Sequence, residues 1–336
     1  MKLVSYIKEG HEQLALHVNG ILYDVDGLHP ELPSTMSMFL NYWDDYFPLT
    51  QAINESILEG KISLNKGIPI ESAQLLAPVP QPASCRDGLA FAQSITATQL
   101  NGGQEPVPAF AQYPVFYFLN HHSIQGPGEL RCMPDHFEKL DFELEVALVI
   151  CRQGRNIPAE EANEYIGGYM IMNNVSARRL QMEEMLLNLG AAKSKDFATV
   201  VGPWLVTPDE LEVFKVDAGE GHTGNNYNLD MKCLINGVEV SSGNMADMQW
   251  TFAEIIERCA YGADIYPGDI IGSGTVSSGC FLELNENGKR IDTAYQEQWL
   301  QEGDIIEMEI EGLGVLASTI VAEESDFSLF AKKKNV

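Results

Sequence analysis

The most restrictive feature of the chain is the segment LDFELEVALVI at residues 140–150, in which acidic and apolar residues alternate. Alternation with a period of two is typical of a β-strand, because successive side chains point to opposite faces of a sheet. One face would carry three carboxylates and the other would be apolar: Asp141, Glu143 and Glu145 against Phe142, Leu144, Val146 and Leu148. We expect the apolar face to pack on the core.

Two carboxylates of this segment would lie close together. Glu143 and Glu145 would be about 7 Å apart, from two residues at about 3.4 Å rise each. Such carboxylates repel, and a bound cation or a raised pKa relieves the repulsion. Oxygen ligands favour Mg²⁺, Ca²⁺ or Mn²⁺ over zinc. The spacing allows a metal site, but an acidic stripe on an exposed strand face produces the same pattern.

The charge balance excludes some classes of partner. Asp and Glu number 48 against 21 Lys and Arg, which leaves a formal charge of −27. Nucleic acids and anionic membranes bind basic surfaces, so neither is expected as a partner. An anionic substrate would need a metal ion, Lys or Arg inside its pocket to offset the long-range repulsion. A well-solvated surface is the simpler explanation of the acidity itself.

The cysteines and the N-terminus bear on the compartment. The six cysteines have no CxxC spacing, which argues against a zinc site or a disulfide framework and predicts reduced, mostly buried thiols. The first residues, MKLVSYIKEGHEQ, do not resemble a signal peptide, and no stretch reaches the roughly 18 apolar residues of a membrane helix. We therefore expect a cytoplasmic protein.

Two domains are predicted. Residues 1–75 contain alternating segments and an Asn19-Gly20 hairpin turn, followed by a helical pattern, and form a small N-terminal β/α domain. Three closely spaced prolines, Pro78, Pro80 and Pro82, then force extended backbone and indicate a linker. Residues 76–336 are rich in short strands and form the second domain.

In this second domain the pattern predicts two helices and one further hairpin. The first helix would begin with Ser176 as N-cap and end at Gly190. The second would cover residues 245–262. An Asn236-Gly237 turn would join two strands of a hairpin.

Several ordered motifs together resemble the fumarylacetoacetate hydrolase (FAH) family in its longer form, which has a small N-terminal domain. They are the acidic run at 141–145, then GGYMIMNNVSARRLQ, KSKDFATVVGPWLVT, DMQWTFAEII, PGDIIGSGT and the closing EGD. The resemblance implies an α+β fold that is mostly β, built as a mixed β-sandwich roll. It also implies a homodimer and a divalent metal, with Mg²⁺ first and Ca²⁺ or Mn²⁺ as alternatives.

The resemblance also assigns roles by position. Glu143, Glu145 and Asp87 match metal ligands, and Asn174 occupies the place of a further ligand. Lys195 matches the active-site lysine. Arg178, Gln181, Thr275 and, more loosely, Tyr117 match residues that contact substrate. Backbone N–H groups of residues 272–275 could bind a carboxylate oxygen.

Two departures from the family pattern affect these roles. Asn174 replaces an aspartate ligand and brings no charge, which predicts a weaker metal site that Asn174→Asp would tighten; Arg179 replaces a later aspartate. Ser94 replaces the histidine that acts as general base in hydrolytic members, and Glu283 is left without that partner. A serine cannot take a proton unaided at neutral pH. His121 or His122 could substitute if their loop approaches the site.

The resemblance implies a metal-dependent hydrolase that cleaves a C–C bond in a small oxo acid, such as an acylpyruvate or fumarylacetoacetate. An isomerase or decarboxylase on the same metal site is the alternative, because enolisation depends more on the metal and Lys195 than on the missing base. From another class, a catalytically impaired homologue would bind an oxo acid without converting it.

Overall fold

The computed structural model describes residues 1–62, 67–91, 111–188 and 190–334. Its strands are, in chain order, β1 (Lys2–Lys8), β2 (His11–Val18), β3 (Ile21–Asp24), β4 (Ile68–Pro69), β5 (Gln74–Leu75), β6 (Cys85–Gly88), β7 (Phe116–Leu119), β8 (Ile124–Gln125), β9 (Gly128–Cys132), β10 (Leu140–Asp141), β11 (Leu144–Ile150), β12 (Gly154–Arg155), β13 (Ile166–Asn174), β14 (Ser176–Ala177), β15 (Thr199–Val206), β16 (Lys215–Val216), β17 (Asn226–Tyr227), β18 (Asp230–Ile235), β19 (Val238–Asn244), β20 (Asp264–Ile265), β21 (Ile270–Gly272), β22 (Ile305–Ile310) and β23 (Gly314–Ala322). The α-helices are α1 (Val25–Leu28), α2 (Met36–Asn41), α3 (Trp43–Leu58), α4 (Ala159–Ala162), α5 (Arg178–Glu184), α6 (Phe252–Ala260) and α7 (Phe281–Ile291).

Two sheets form the body of the described chain. The larger is mixed and runs in the order β4-β3-β2-β1-β15-β13-β11-β21-β6-β7, with β5 and β8 attached at its side. The smaller runs β19-β18-β22-β23-β9. Apolar residues of both sheets share one buried core, for example Val146 and Leu148 of β11 with Met231 of β18 and Met308 of β22. The fold is therefore an α+β sandwich that is mostly β, as expected.

The N-terminal segment extends the larger sheet. Lys2 of β1 pairs with Val206 of β15, and helices α2 and α3 contribute Phe39 and Trp43 to a second apolar core. Val149 of β11 lies in this second core. Strands on both sides of residue 75 thus share one sheet, and the division into domains there stays a prediction.

Both predicted hairpin turns are present. Asn19 and Gly20 have φ angles of 50° and 81°, and Val18 pairs with Ile21 across the turn. Asn236 and Gly237 have φ angles of 53° and 77° between β18 and β19. Asn and Gly tolerate positive φ, which two-residue hairpin turns of this type require.

The acidic strand differs from its prediction in two respects. It is interrupted after Asp141 and resumes at Leu144, and every residue of β11 is buried. Because β11 lies between β13 and β21 in the middle of the larger sheet, one face packs on the smaller sheet and the other on the N-terminal helices. The alternation therefore does not separate core from solvent.

Both helix predictions were wrong at their ends. Ser176 is not an N-cap: it lies in β14, where it pairs with Asp141, and α5 begins at Arg178 and ends at Glu184. The second helix begins at Phe252 rather than at residue 245, because Thr251 and Glu254 form a capping box. A separate 3₁₀ turn, Met245–Asp247, precedes it.

The cysteine prediction is confirmed. The six cysteines are free and buried: Cys85, Cys132, Cys151, Cys233, Cys259 and Cys280. Across the described ranges, the helices are all too short or too polar to cross a membrane.

Candidate active site

Three carboxylates meet at one end of the larger sheet, where β11, β21 and β6 follow one another. Asp87 lies on β6, Glu145 on β11 and Glu143 just before β11, and β21 runs between β6 and β11. Gly272 of β21 pairs with Asp87. A Cβ at residue 272 would lie 2.7 Å from Asp87 Oδ1 and 3.0 Å from Glu145 Oε2. The carboxylates can converge there because this glycine has no side chain.

The cluster is buried and strongly interacting. One oxygen from each of Asp87, Glu143 and Glu145 lies within 4.8 Å of the others. Burial, with the charges of Asp87 and then Glu143, raises the pKa of Glu145 well above its usual value. Burial and the charge of Glu143 likewise raise the pKa of Asp87. Without a cation, this site favours holding protons.

Glu143 behaves differently because it contacts two cations. Lys195 Nζ lies 2.5 Å from its Oε2, and Arg178 forms a 2.8 Å ion pair with its Oε1. Burial alone would raise the pKa of Glu143, but the charges of Lys195 and Arg178 hold it below its usual value. Lys195 also donates a 2.7 Å hydrogen bond to Ser176 Oγ. Glu143 is therefore an ionised member of the cluster.

Arg178 lies beneath the cluster. Its guanidinium donates to Asp141 Oδ2 at 2.7 Å and to Gln181 Oε1 at 2.9 Å, in addition to the ion pair with Glu143. Asp141 also accepts from the backbone N–H of Phe281 at 2.7 Å, at the start of α7. These contacts occupy the guanidinium with protein groups, and substrate contact by Arg178 stays a prediction.

Asn174 and Tyr117 both bind Asp87. The Asn174 amide donates to Asp87 Oδ2 and to the Tyr117 hydroxyl, each at 2.8 Å, and Tyr117 donates to the same carboxylate oxygen at 2.7 Å. Burial and the charge of Asp87 raise the pKa of Tyr117 well above 10.0, so this hydroxyl stays protonated. Gly274 N donates to Asp87 Oδ1 at 3.0 Å. This backbone N–H, assigned from sequence to a ligand, thus contacts the protein's own carboxylate.

The residues present fit a divalent metal ion. Buried oxygens of two side chains, Glu145 Oε2 and Asn174 Oδ1, have no hydrogen-bond partner within the described part of the chain. Carboxylate and amide oxygens are the ligands that Mg²⁺, Mn²⁺ and Ca²⁺ prefer. Cysteine and histidine are absent from this group of side chains, which disfavours zinc.

A cavity of about 430 Å³ opens over the cluster. Six of the residues singled out in the sequence line it, namely Asp87, Tyr117, Glu143, Gln181, Lys195 and Thr275. Thr275 Oγ1 lies 3.4 Å from Glu145 Oε1. Glu145, Asn174 and Arg178 lie below this lining layer and are buried.

Some predicted site residues lie elsewhere. Glu283, on α7, is buried, accepts a hydrogen bond from Ser278 N at 2.7 Å and is not part of the cavity lining. His121 and His122 form a 3₁₀ turn after β7 and do not line the cavity either. Arg179 is half exposed and pairs with Glu183 at 3.2 Å. Ser94 lies outside the described residues.

Two kinds of residue at the site were not predicted from the sequence. Asp141 and Ser176 hold Arg178 and Lys195, and their signal was position: Asp141 shares the predicted face of Glu143, and Ser176 directly precedes the motif arginine. The apolar lining of the cavity was also missed. It consists of Leu89, Phe118, Met185 and Ala191.

Comparisons with known proteins agree with this architecture. Residues 84–321 match the family described as fumarylacetoacetate (FAA) hydrolase C-terminal. The chain is 28% identical over 331 residues to "Oxaloacetate tautomerase Fahd2a, mitochondrial" of Rattus norvegicus, covering 96% of this chain and 92% of the relative. It is 27% identical over 326 residues to "Fumarylacetoacetate hydrolase domain-containing protein 2 homolog" of Dictyostelium discoideum, with 95% and 97% covered.

Solved structures share the fold. A fumarylacetoacetate hydrolase from psychrophilic Exiguobacterium antarcticum has a TM-score of 0.68 at 24% identity, covering 96% of this chain and 100% of its own. A maleylpyruvate hydrolase from Sphingobium sp. SYK-6, in complex with manganese (II) ion and pyruvate, has a TM-score of 0.66 at 20% identity with the same coverage. At these identities the likeness concerns the fold.

Proposed function

Because the chain belongs to the fumarylacetoacetate hydrolase family, we propose that it is a metal-dependent enzyme that enolises a small oxo acid, acting as a tautomerase or isomerase. The observation that carries this proposal is the buried group of Asp87, Glu143 and Glu145 beneath a cavity whose wall includes Lys195. Enzymes with oxo acid substrates are named among the relatives, which supports the class of reaction.

The carboxylate cluster and Asn174 would hold the metal, with Mg²⁺ or Mn²⁺ as the best candidates. When bound, the ion supplies Lewis acidity to the carbonyl of an oxo acid and lowers the cost of forming an enolate. Every other contribution comes from the chain's own side chains.

Lys195, in the cavity lining, would supply positive charge to the reacting carbonyl. Its ammonium is held between Glu143 and Ser176, and the residue is only 4% exposed. Little free energy is therefore needed to orient this charge when substrate binds. A charge held in a buried site stabilises a developing enolate oxygen more than a solvated one would. Tyr117 keeps its proton and orients Asp87.

Enolisation fits the site better than hydrolysis because the cavity lacks a histidine base. No histidine lines it within the described ranges, and residues 92–110 contain none in their sequence. Enolisation moves a proton from carbon to an acceptor, for which the ionised carboxylate of Glu143 lines the cavity, whereas hydrolysis of a C–C bond needs in addition a group that activates water. The name of the rat relative, an oxaloacetate tautomerase, supports this choice.

The test uses metal-stripped protein reconstituted with Mn²⁺ or Mg²⁺ and a 2-oxo acid in D₂O. Proton NMR follows deuterium entry at C3, which reports enolisation, and separately the appearance of cleavage products. We expect exchange without cleavage. Cleavage as fast as exchange would indicate a hydrolase instead, and metal binding with neither event would indicate an impaired homologue.

The matched variants are Lys195→Met and Lys193→Met. Lys193 is two residues away, exposed, and paired with Asp196 at 2.8 Å. We expect Lys195→Met to reduce exchange about a hundredfold or more, as loss of a positioned electrostatic group does, and Lys193→Met to leave it unchanged. Equal exchange by both variants would remove Lys195 from the mechanism.

We also propose that the protein is a homodimer and that it is cytoplasmic. The names of the rat and human relatives place those proteins in mitochondria. Size-exclusion chromatography with light scattering on the full chain tests the first.

A further inference from the structure

One carboxylate ties the loop that carries Lys195 to helix α5. Glu184, the last residue of α5, accepts hydrogen bonds from the backbone N–H groups of Ala192 at 2.8 Å, Lys193 at 3.0 Å and Ser194 at 3.1 Å, and from the Ser194 hydroxyl. We infer that Glu184 is a positioning residue for Lys195, which fixes the ammonium beside the carboxylate cluster without contacting substrate. The inference rests on the proposed function.

The arrangement around Glu184 is that of an anion site. Successive backbone N–H groups that converge on one point bind anions. Here residues 192–194 provide these groups, and the side chain of Glu184 is the anion. Burial alone would raise the pKa of Glu184, but hydrogen bonds from the Ser194 hydroxyl and from the backbone hold it below its usual value. The carboxylate is therefore ionised near neutral pH and acts only as an acceptor.

The residues that join Glu184 to this loop give it little support. Leu186 and Leu187 are 81% and 71% exposed in a 3₁₀ turn, and Asn188 and Gly190 have φ angles of 54° and 83°. Exposed residues with few buried contacts provide little local stability. The hydrogen bonds of Glu184 instead join the two ends of this exposed segment.

Ser194 transmits the constraint to the active site because it directly precedes Lys195. It is inaccessible to solvent, and its carbonyl oxygen accepts a 2.9 Å hydrogen bond from Ala177 N. The neighbouring Ser176 accepts a 2.7 Å hydrogen bond from the ammonium of Lys195. The loop backbone and the lysine ammonium are thus both held against β14. A shift of the loop would move the ammonium away from Ser176 and Glu143.

The other side of Lys195 is held independently of Glu184. The carbonyl oxygen of Asp196 accepts hydrogen bonds from Asn120 Nδ2 at 2.9 Å and from Ser123 Oγ at 2.6 Å. These bonds do not involve residues 192–194. We therefore expect the loss of Glu184 to displace Lys195 while the chain stays folded.

The adjacent Glu183 provides a matched control. It lies on the same turn of α5 and carries the same charge, but its carboxylate pairs with Arg179 at 3.2 Å and with Lys333. Within the described residues, no hydrogen bond joins its side chain to the loop at 192–194. Glu183→Gln removes one charge from the helix and leaves the loop contacts in place.

The experiment compares Glu184→Gln with Glu183→Gln in the full chain reconstituted with Mn²⁺. Deuterium entry at C3 of a 2-oxo acid yields kcat and KM. The amide of Glu184→Gln keeps one acceptor oxygen but presents N–H groups to the loop donors. We expect its kcat to fall by about tenfold or more, because a displacement of about 1 Å can cost about a hundredfold. Glu183→Gln should retain the wild-type kcat.

Two further measurements separate positioning from a general structural role. KM and Mn²⁺ affinity of Glu184→Gln should stay within about twofold of wild type, because the group that it displaces acts in the transition state. In the Lys195→Met background, Glu184→Gln should cause no further decrease in kcat, since the group that it positions is gone. A role independent of Lys195 would give the same decrease in both backgrounds.

Ser194→Ala is a milder variant for the same comparison. It removes one of the donors to Glu184 and leaves the backbone N–H groups in place. We expect a smaller decrease in kcat than for Glu184→Gln, and no decrease in the Lys195→Met background. This variant decides the question if Glu184→Gln does not fold.

The outcomes separate this inference from the proposed function. An unchanged kcat of Glu184→Gln, the same decrease for Glu183→Gln, or the same decrease in the presence and absence of Lys195 would overturn the inference and leave enolisation intact. A loss of Mn²⁺ affinity in Glu184→Gln would also overturn it, because the carboxylate would then support the metal site. Absence of exchange by the wild-type protein with Mn²⁺ bound would overturn the proposed function, and the inference with it.

Discussion

The chain carries two acidic regions built on β-strands, and they differ in what surrounds the carboxylates. One is the buried cluster of Asp87, Glu143 and Glu145. The other lies on the smaller sheet, where exposed acidic side chains and one lysine line an open cavity of about 570 Å³: Asp230, Glu239, Glu309, Glu311 and Lys232. The same residue type therefore occurs in two environments within one protein.

The difference lies in burial and in available partners. Lys232 and Glu309 form a 3.0 Å ion pair with both side chains close to half exposed, so water and salt screen the interaction. In the buried cluster the side chain of Glu145 is inaccessible, and one of its oxygens has no hydrogen-bond partner in the described ranges. Acidic residues that converge in a buried region indicate a candidate active site. Acidic residues that stay exposed indicate a well-solvated surface.

The largest expected difference between the buried and the exposed acidic regions is the loss of stability caused by Arg178→Met. This substitution would leave Asp141 and Glu143 buried without their common cation, at a cost of about 3–5 kcal/mol in the free energy of unfolding. Urea denaturation measures this change. The adjacent Arg179→Met is the control, because Arg179 is half exposed and its loss should cost less than about 0.5 kcal/mol. Equal losses in the free energy of unfolding of the two variants would show that the buried ion pairs of Arg178 contribute no more to stability than the exposed pair of Arg179.

The next effect concerns metal affinity. Glu145→Gln should weaken Mn²⁺ binding by about a hundredfold or more, since even indirect supports of metal ligands are worth 10- to 100-fold. It should also raise the melting temperature of the metal-free protein, because it removes a buried carboxyl whose ionisation is disfavoured. Isothermal titration and thermal melts measure both. Glu309→Gln on the exposed sheet should change neither, and a loss of affinity there would break the contrast.

The pH dependence follows from the direction of the shift at Glu145. Its pKa is raised well above 4.5 by burial and by Asp87 and Glu143, so the protonated form is favoured in the folded state. A raised carboxyl pKa contributes stability at low pH that is lost as pH rises through the folded-state pKa. As pH rises above 4.5, the melting temperature of the metal-free wild type should therefore fall further below that of the metal-free Glu145→Gln variant.

Metal affinity should rise over the same pH range, by up to about tenfold per pH unit for each proton displaced. Mn²⁺ titrations at several pH values provide the measurement. An affinity that does not change with pH would mean that the cluster is already ionised without metal.

The smallest expected effect is that of Asn174→Asp. The amide now donates to Asp87 and Tyr117, so a carboxylate there would meet Asp87 and increase the demand for a cation. We expect Mg²⁺ to bind about tenfold more tightly, since a neutral ligand becomes charged. Equal affinities of the two forms, measured by titration, would contradict this.

Much of the local structure was predictable from short patterns. The Asn-Gly turns at residues 19–20 and 236–237 depend on neighbouring residues and were confirmed. The strand predicted over residues 140–150 is continuous only from Leu144 to Ile150. Helix ends were less predictable, because Ser176 pairs with Asp141, far away in sequence, instead of capping α5. The attachment of β1 to β15 likewise depends on residues about 200 positions apart, as in the pairing of Lys2 with Val206.

The family and the free cysteines could be predicted from the chain alone, and so could the three acidic residues that converge in the candidate site, because motifs and composition are local properties. Which carboxylates lie together and which cations neutralise them follows from tertiary contacts. Asp87 and Glu145 meet across a strand that contributes Gly272, and Arg178 lies under Glu143. Distances between residues far apart in the chain follow from strand order and packing, and these set the electrostatics on which metal binding depends.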